Sequence, residues 1–303
     1  MGRIAVIGSY GVGLTMVVPR IPLAGETMLG GKFAAGPGGK GSNQAIGAAR
    51  LGAQVEFLTC VGPDAFGADA RALWRREGVG ADQVKTGSQA TMVGMILVEP
   101  SGENRIIVAP GALDELSPAD VEGFAATVAA ADLCMISMEI PLPAVIAALR
   151  LAHRVGTPAL LNPAPAAPLP ADVWPLIDYL TPNQSEARIL TGAAESASPE
   201  DVMARLRAQF SGVIVLTMGA DGALTHDGTQ QSRLPAVLAP HVVDTTGAGD
   251  AFNAALGVAL IEGMPLSQAV RFAAAAGAHC VGTAEVVPAL PYRRDLVAAT
   301  ELP

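Results

Sequence analysis

Several residue types are scarce in this chain. Of 303 residues, 4% are aromatic and 16% charged, with 3 cysteines and 4 histidines. Cys60, Cys134 and Cys280 lie far apart without Cys-x-x-Cys spacing, which argues against a disulfide framework or a structural zinc centre and leaves buried free thiols. His153, His226, His241 and His279 show no metal-ligand spacing either. Glycine, proline or a charge interrupts every apolar run before it reaches membrane-spanning length. Met1-Gly2-Arg3 leads directly into a short strand-like run rather than a secretory leader, so the expectation is a cytoplasmic protein with no membrane partner. Basic residues are few as well. With 19 Lys and Arg against 28 Asp and Glu, the net charge is −9, which disfavours nucleic acid as a partner.

What is present is apolar residue, 50% of the chain, enough to bury a large core. Strand-like runs recur at Ile4–Ile7, Val55–Val61, Leu133–Ser137, Ala159–Asn162, Tyr179–Thr181 and Val213–Thr217. Helix-like stretches at Asn43–Leu51, Ala68–Glu77, Leu142–Val155, Ser185–Leu190 and Pro199–Phe210 alternate with them. This rhythm predicts an α/β fold, with helices covering a mostly parallel sheet and ligands at the carboxyl ends of its strands. Leu14–Ala35 and Thr91–Val108 break the rhythm. Their β-branched residues and turn signals (Pro22, Gly25, Gly30, Gly31; Pro100, Ser101, Gly102) predict an antiparallel excursion from the main sheet. Pro163–Pro170 reads as a loop, and there is no internal repeat, so residues 1–303 are expected to form a single domain.

The most informative stretch runs from Asp244 to Asn253 as Asp-Thr-Thr-Gly-Ala-Gly-Asp-Ala-Phe-Asn. It follows a β-type run, Ala239–Val243, and leads into Ala251–Ile261, an apolar segment of helix-forming composition. Gly247, Ala248 and Gly249 therefore belong where a loop becomes a helix. The first N–H groups of a helix lack intrahelical partners and carry the positive end of its dipole, so they can hold phosphate oxygens. Asp250 would stand beside such an anion, able to take a proton from an incoming hydroxyl. The plain alternative is a glycine-containing turn with Asp250 as a helix cap.

Two other glycine runs do not carry a nucleotide fingerprint. Gly8, Gly11 and Gly13 follow a strand, but the order Gly-x-x-Gly-x-Gly is the reverse of the dinucleotide pattern. Gly39-Lys40 lacks the following Ser or Thr and the upstream glycine of a P-loop. In Gly38-Gly39-Lys40-Gly41-Ser42-Asn43-Gln44-Ala45 the glycines permit close backbone approach, while Lys40 and Asn43 offer groups that bond hydroxyls. Asn183 followed three residues later by Glu186 is also a plain capping box, and Thr217 to Gly222 is also a strand-ending hairpin turn.

Together, Gly38–Ala45 and Asp244–Asn253 resemble the N- and C-terminal signatures of the ribokinase-like carbohydrate kinase family, a likeness extending from about Ile4 to Arg293. The resemblance implies a three-layer sandwich with a small β lid from about residues 14–35 and 91–108. It also implies a homodimer through that lid, and transfer of the γ-phosphoryl group of ATP to a primary hydroxyl of a small sugar. On the same basis Asp250 is the base and Gly247, Ala248 and Gly249 the anion cradle. Gly11, Gly13, Gly38, Gly39, Lys40, Asn43 and Glu139 are then sugar-side residues. Asn183, Thr217, Gly219, Gly222, Gly249 and Ala274 are nucleotide-side residues, and Glu186 organises Mg²⁺ through water. Asp244, Thr246, Cys280 and Thr283 are the matching positions for a monovalent cation such as K⁺.

The chain departs from that pattern in two places. Gly11 and Gly13 stand where the family's first loop has an Asn and an Asp that bind the sugar, so plain ribose should bind poorly unless another residue substitutes. The paired glycines should leave room for a bulkier or differently hydroxylated sugar. Thr283-Ala284-Glu285-Val286 replaces the family's Gly-Ala-containing loop. There Glu285 could add a carboxylate to the cation site, or its backbone would have to turn as a glycine does. The competing functions are a nucleoside kinase of the same family and a non-catalytic sugar or nucleotide sensor.

Overall fold

The run Arg3–Ile7 shows why a large sheet forms: its last four residues are buried, which requires cover on both faces. Ile4 and Val6 point into one hydrophobic cluster, Ala5 and Ile7 into a second on the opposite face. The result is a helix–sheet–helix sandwich. The structure, a computed structural model, describes residues 2–29, 31–101 and 103–300, the last four by backbone alone. The turn glycines Gly30 and Gly102 expected above lie outside the described residues, as do residue 1 and residues 301–303.

The large sheet has nine strands in the order Gln231–Leu234, Ala223–His226, Val213–Thr217, Tyr179–Leu180, Ala159–Asn162, Leu133–Ser137, Arg3–Ile7, Gln54–Leu58 and Val79–Gly80. All neighbours are parallel except at the Ala223–His226 edge, where a hairpin turns back. Helices Lys40–Arg50, Ala248–Ile261 and Leu266–Cys280 cover one face, and Leu142–Val155 and Gln184–Thr191 lie on the other. Among the described residues no helix is long and apolar enough to cross a membrane.

The two segments outside the rhythm form a separate four-stranded sheet in the order Phe33–Gly38, Gly11–Val17, Val93–Val98, Asn104–Ala109. The first segment begins earlier and ends later than the composition suggests, because Gly11 pairs with Gly38, while the second runs from Val93 to Ala109 rather than from Thr91 to Val108. Strand alternation sorts this sheet into two faces. Gly11, Gly13, Gly36, Gly38 and Gly94 fall on one face, while Met16, Phe33, Met95 and Ile107 fall on the other.

Two expectations are corrected. The Val55–Val61 run is broken at Thr59, after which Cys60–Val61 pairs with Lys85–Thr86 in a sheet of its own. Ala239–Val243 is not a strand. Val242 and Val243 are β-branched but exposed, and that stretch is tied down by Val243 N–H and Asp244 N–H donating to the Val281 carbonyl. Without a strand to pair with, apolar composition does not produce one.

Candidate active site

The site begins with a contact that only glycine permits. Gly8 ends the first strand's approach and Gly41 sits in the first turn of the Lys40 helix. A Cβ on Gly41 would lie 2.6 Å from the Gly8 backbone, and one on Gly8 would lie 2.7 Å from the Gly41 Cα. The N-cap, Gly39, has φ of 90°, a left-handed conformation that glycine adopts without strain. This seating places Lys40, Asn43 and Gln44 over the strand ends. Residues Gly41 to Ala48 of that helix are all buried, so its polar side chains must find partners.

They find Asp250. The Ala248–Ile261 helix starts at Gly247, itself left-handed at φ 82°, and holds Asp250 in its first turn, 7% exposed. Asn43 Nδ2 donates to Asp250 Oδ2 at 2.8 Å, and Gln44 Nε2 donates to Oδ1 at 3.2 Å. Gln44 Nε2 also reaches Asn162 Oδ1 at 3.1 Å. Asn162 Nδ2 is 3.4 Å from the Thr181 carbonyl, the Thr181 hydroxyl donates to Asn253 Oδ1 at 2.6 Å, and Asn253 Nδ2 donates to the Gly249 carbonyl at 2.8 Å. The carboxylate and the helix turn that carries it are thus fixed by one buried network. Burial raises the Asp250 pKa, against the pull of Lys40 and the two amide donors. Among the described residues, Asn43 Oδ1 and Gln44 Oε1 are buried without a protein partner.

The cradle is mostly free. Among the described residues, the Gly247 and Gly249 N–H groups donate to nothing, whereas the Ala248 N–H bonds the Thr245 carbonyl at 3.3 Å. The expected three-amide cradle is therefore reduced to two unclaimed amides, because Thr245 closes a turn onto the middle one. Lys40 sits between the two halves of the site. Burial works against its charge, but Asp250, Glu139 and Glu186 outweigh it and hold the ammonium pKa above its ordinary value. Glu139, just past the Leu133–Ser137 strand, accepts from the Ser9 hydroxyl and from Lys40 N–H at 3.0 Å.

Asn183 and Glu186, expected from the resemblance to face the nucleotide, form the full capping box. Asn183 N–H donates to Glu186 Oε2 at 2.8 Å and Glu186 N–H to Asn183 Oδ1 at 2.9 Å. The second Glu186 oxygen has no protein partner among the described residues, and burial raises this carboxyl's pKa. Asn183 bridges to Thr217, and Gly222, at φ 84°, closes the hairpin by accepting from Met218 N–H. Ala274 lies half-buried on the next helix, three residues before Gly277, whose added Cβ would lie 3.3 Å from the Ala248 carbonyl.

Asp244 Oδ1 accepts from Thr246 N–H at 2.9 Å, and the Cys280 thiol, pushed up to about 11 chiefly by burial, points to the Thr246 carbonyl at 3.8 Å. Thr283 N–H bonds the Cys280 carbonyl at 3.4 Å. Glu285 turns as a glycine does, at φ 65° and ψ 145°, the only positive-φ residue other than glycine among the described residues. A side chain held there costs on the order of 1–3 kcal/mol.

The room expected at the paired glycines is present only at one. A Cβ on Gly11 would lie 2.4 Å from Met92 Cε, so Met92 fills that space, while a Cβ on Gly13 meets nothing closer than 3.6 Å. Sequence reasoning missed Gln44, Ser9, Asn162 and Met92. Gln44 sat inside the quoted motif, where its place next to Asn43 on a buried helix turn was the available signal.

Residues 1–292 match the pfkB family carbohydrate kinases. The chain belongs to this family. It is 39% identical over 305 residues to the ribokinase of Schizosaccharomyces pombe, covering 96% of each chain. It is 35% identical to the deoxyribokinase of Salmonella typhi, covering 82% of each. The structure of Arabidopsis thaliana ribokinase complexed with ribose and ATP superposes with a TM-score of 0.92 at 29% identity, over 100% of this chain and 99% of that one. The chain is accordingly a carbohydrate kinase of the ribokinase fold, a phosphotransferase with an alcohol as acceptor.

Proposed function

We propose that this kinase transfers the γ-phosphoryl group of ATP to the primary hydroxyl of a small sugar, with Asp250 as base. The observation that carries the reading is the buried Asp250 carboxylate, gripped by Asn43 and Gln44 beside two unclaimed helix-start amides. Asp250 accepts the hydroxyl proton as the oxygen attacks phosphorus in line, and the oxygen–phosphorus bond to the nucleoside diphosphate breaks. Gly247 and Gly249 N–H groups hold the charge that develops on the transferred group. Lys40, kept protonated by three carboxylates, balances the negative charge near the reacting oxygens. The free Glu186 oxygen fits a water-mediated Mg²⁺ partner, and the ion when bound neutralises phosphate charge. Relatives named ribokinase and deoxyribokinase support a pentose as substrate. A retained, positioned base supports an enzyme over a sensor, which has no need of one. The test is ADP release from ATP with D-ribose, 2-deoxy-D-ribose, hexoses and nucleosides. Release with sugars and none with nucleosides is expected, and release with none of them would refute the reading.

The small sheet supports a homodimer. Met16, Phe33, Met95 and Ile107 share one of its faces and are 39%, 62%, 49% and 72% exposed, a patch that a second copy would cover. Ile107→Asp should convert a sedimenting dimer to monomer, and a wild-type monomer would count against the patch. Activation by K⁺ rests on Asp244, Thr246 and Thr283, and is tested by comparing rates in potassium with those in tetramethylammonium.

A further inference from the structure

We infer that Glu285 supplies the carboxylate that grips the secondary hydroxyls of the sugar, across from the glycine-faced small sheet. This rests on the sugar-kinase reading above and adds to it the residue that selects a vicinal diol.

Three observations converge on this side chain. Its backbone is held at φ 65°, where a non-glycine residue persists only if something is gained. No protein partner of its exposed side chain among the described residues accounts for it. Glu285 precedes the short Val286–Ala289 helix as its N-cap yet makes no side-chain cap bond, and among the described residues no hydrogen bond or ion pair holds its carboxylate. Its position is also specific. A Cβ added to Gly36 would lie 3.8 Å from Glu285 Oε2, so the carboxylate rises against the glycine face of the small sheet. Gly36 pairs with Gly13, and Gly13 with Gly94, so at this point three adjacent strands present bare backbone.

The neighbouring residue ties this position to the reaction centre. Val286 packs on Gly247, where an added Cβ would lie 2.4 Å from Val286 Cγ1. One residue thus touches the anion cradle while the one before it reaches the sheet. A ligand with its primary hydroxyl at Asp250 would extend between them. Glu139 accepts from Ser9 and Lys40 through one oxygen, whereas both Glu285 oxygens are unclaimed among the described residues. A carboxylate accepts two hydrogen bonds side by side, which matches two adjacent hydroxyls, and each bond to a charged acceptor is stronger than a neutral one. Glycine at position 13 leaves the space that the Glu285 head group and a diol need together. The carboxylate missing from the Gly13 strand is thereby supplied from the opposite wall.

The test uses the full chain with Glu285→Gly, Glu285→Gln and the double variant Glu285→Gly with Gly13→Asp. D-ribose and 2-deoxy-D-ribose are titrated calorimetrically in the presence of a non-hydrolysable ATP analogue, and KM is measured for both sugars and for ATP. Glycine suits the observed φ, so Glu285→Gly should unfold no earlier than wild type. The expected result is a ribose Kd raised by about 10- to 100-fold in both single variants, with KM for ATP changed less than about twofold. Wild-type preference for ribose over 2-deoxyribose should shrink, and Gly13→Asp should restore ribose binding to Glu285→Gly. Unchanged ribose affinity overturns the inference, as does equal weakening of both sugars, or loss of a potassium response in place of sugar affinity. If wild type fails to bind ribose but releases ADP with another sugar, this inference falls and the kinase reading stands. If it releases ADP with no sugar, the kinase reading falls as well.

Discussion

The two halves of the cleft are built on opposite physical terms. The reaction side, where the Lys40 and Ala248 helices meet, is buried and closed by hydrogen bonds running from Gln44 through Asn162, Thr181 and Asn253 back to Gly249. The sheet side has a cluster of glycines on one face, beside exposed Val17, Ile106 and Val108, and exposed Met16, Phe33, Met95 and Ile107 on the other. Groups that must be oriented to a fraction of an ångström sit in the network, where packing and bonds fix their rotamers. Gly13 and Glu285, which the proposal above puts on the sugar side, border the small sheet instead. This explains why the signatures are intact on the first side while the departures, Gly11, Gly13 and Glu285, all border the second. Changes there alter what is bound without dismantling the chemistry.

The sharpest break in that comparison is Asp250→Asn. Loss of the base should lower kcat by about 10²- to 10⁴-fold while leaving the ATP Kd within about threefold. Stability is subject to two opposed effects. A carboxyl whose folded pKa is raised favours the fold most below its unfolded pKa, and loses that contribution as pH rises through the folded value. The Asn variant is freed of that pH dependence but offers a single oxygen to the Asn43 and Gln44 donors, so it should still fold cooperatively. A variant retaining full turnover would remove Asp250 from the mechanism.

Next in size is the framework. Arg50 is nearly buried, pairs with Glu77 at 2.8 Å, and donates to the Val287 and Leu290 carbonyls at 2.7 Å each. Arg50→Ala leaves Glu77 and the Leu290 carbonyl without a partner and the Val287 carbonyl with the Leu290 N–H alone, at a cost of about 3–5 kcal/mol by chemical denaturation. Because those carbonyls hold the segment that carries Glu285 and Val286, KM for the sugar should rise too. A loss below about 1 kcal/mol would place this ion pair with the surface ones.

Lys40 sharpens the reaction side by its pH dependence. Only ionised Asp250 can accept a proton, so kcat/KM should rise with pH along an acidic limb, above the ordinary Asp range because burial raises this pKa. Lys40 pulls that pKa down, so Lys40→Met should move the limb to higher pH and leave the alkaline side in place. An unmoved limb would mean that the titrating group is not Asp250.

Much of this was readable from residues alone, for identifiable reasons. Runs that are apolar up to their last residue, such as Leu133–Ser137 and Val213–Thr217, mark parallel strands covered on both faces, and both lie where the sequence places them. Gly247 falls at a helix start because its φ of 82° and its contact with Val286 call for glycine, whereas a Cβ on Gly249 would meet nothing within 4 Å. What escaped was what depends on a tertiary partner. Val242 and Val243 look like strand but have no strand beside them. Met92 becomes part of the site only once the small sheet pairs it with Gly11. Gln44 and Asn43 are adjacent in sequence, but that both turn to one carboxylate from 206 and 207 residues away is a property of the assembled core.

The smallest expected effect sets the floor of the comparison. Arg105 and Glu99 pair at 2.7 Å across the hairpin of the small sheet, with side chains 58% and 21% exposed. Water screens such a pair and the Arg side chain must be ordered to form it, so Arg105→Ala should cost at most about 1 kcal/mol. High salt should reduce that cost further, whereas the Arg50 loss should persist in salt because solvent ions do not reach a buried pair. Turnover at saturating sugar should not change, since Arg105 neighbours neither the network nor Glu285. If this exposed pair proved as costly as Arg50, the sheet would be a rigid part of the framework, and the division between a fixed reaction side and an adaptable selection side would fail.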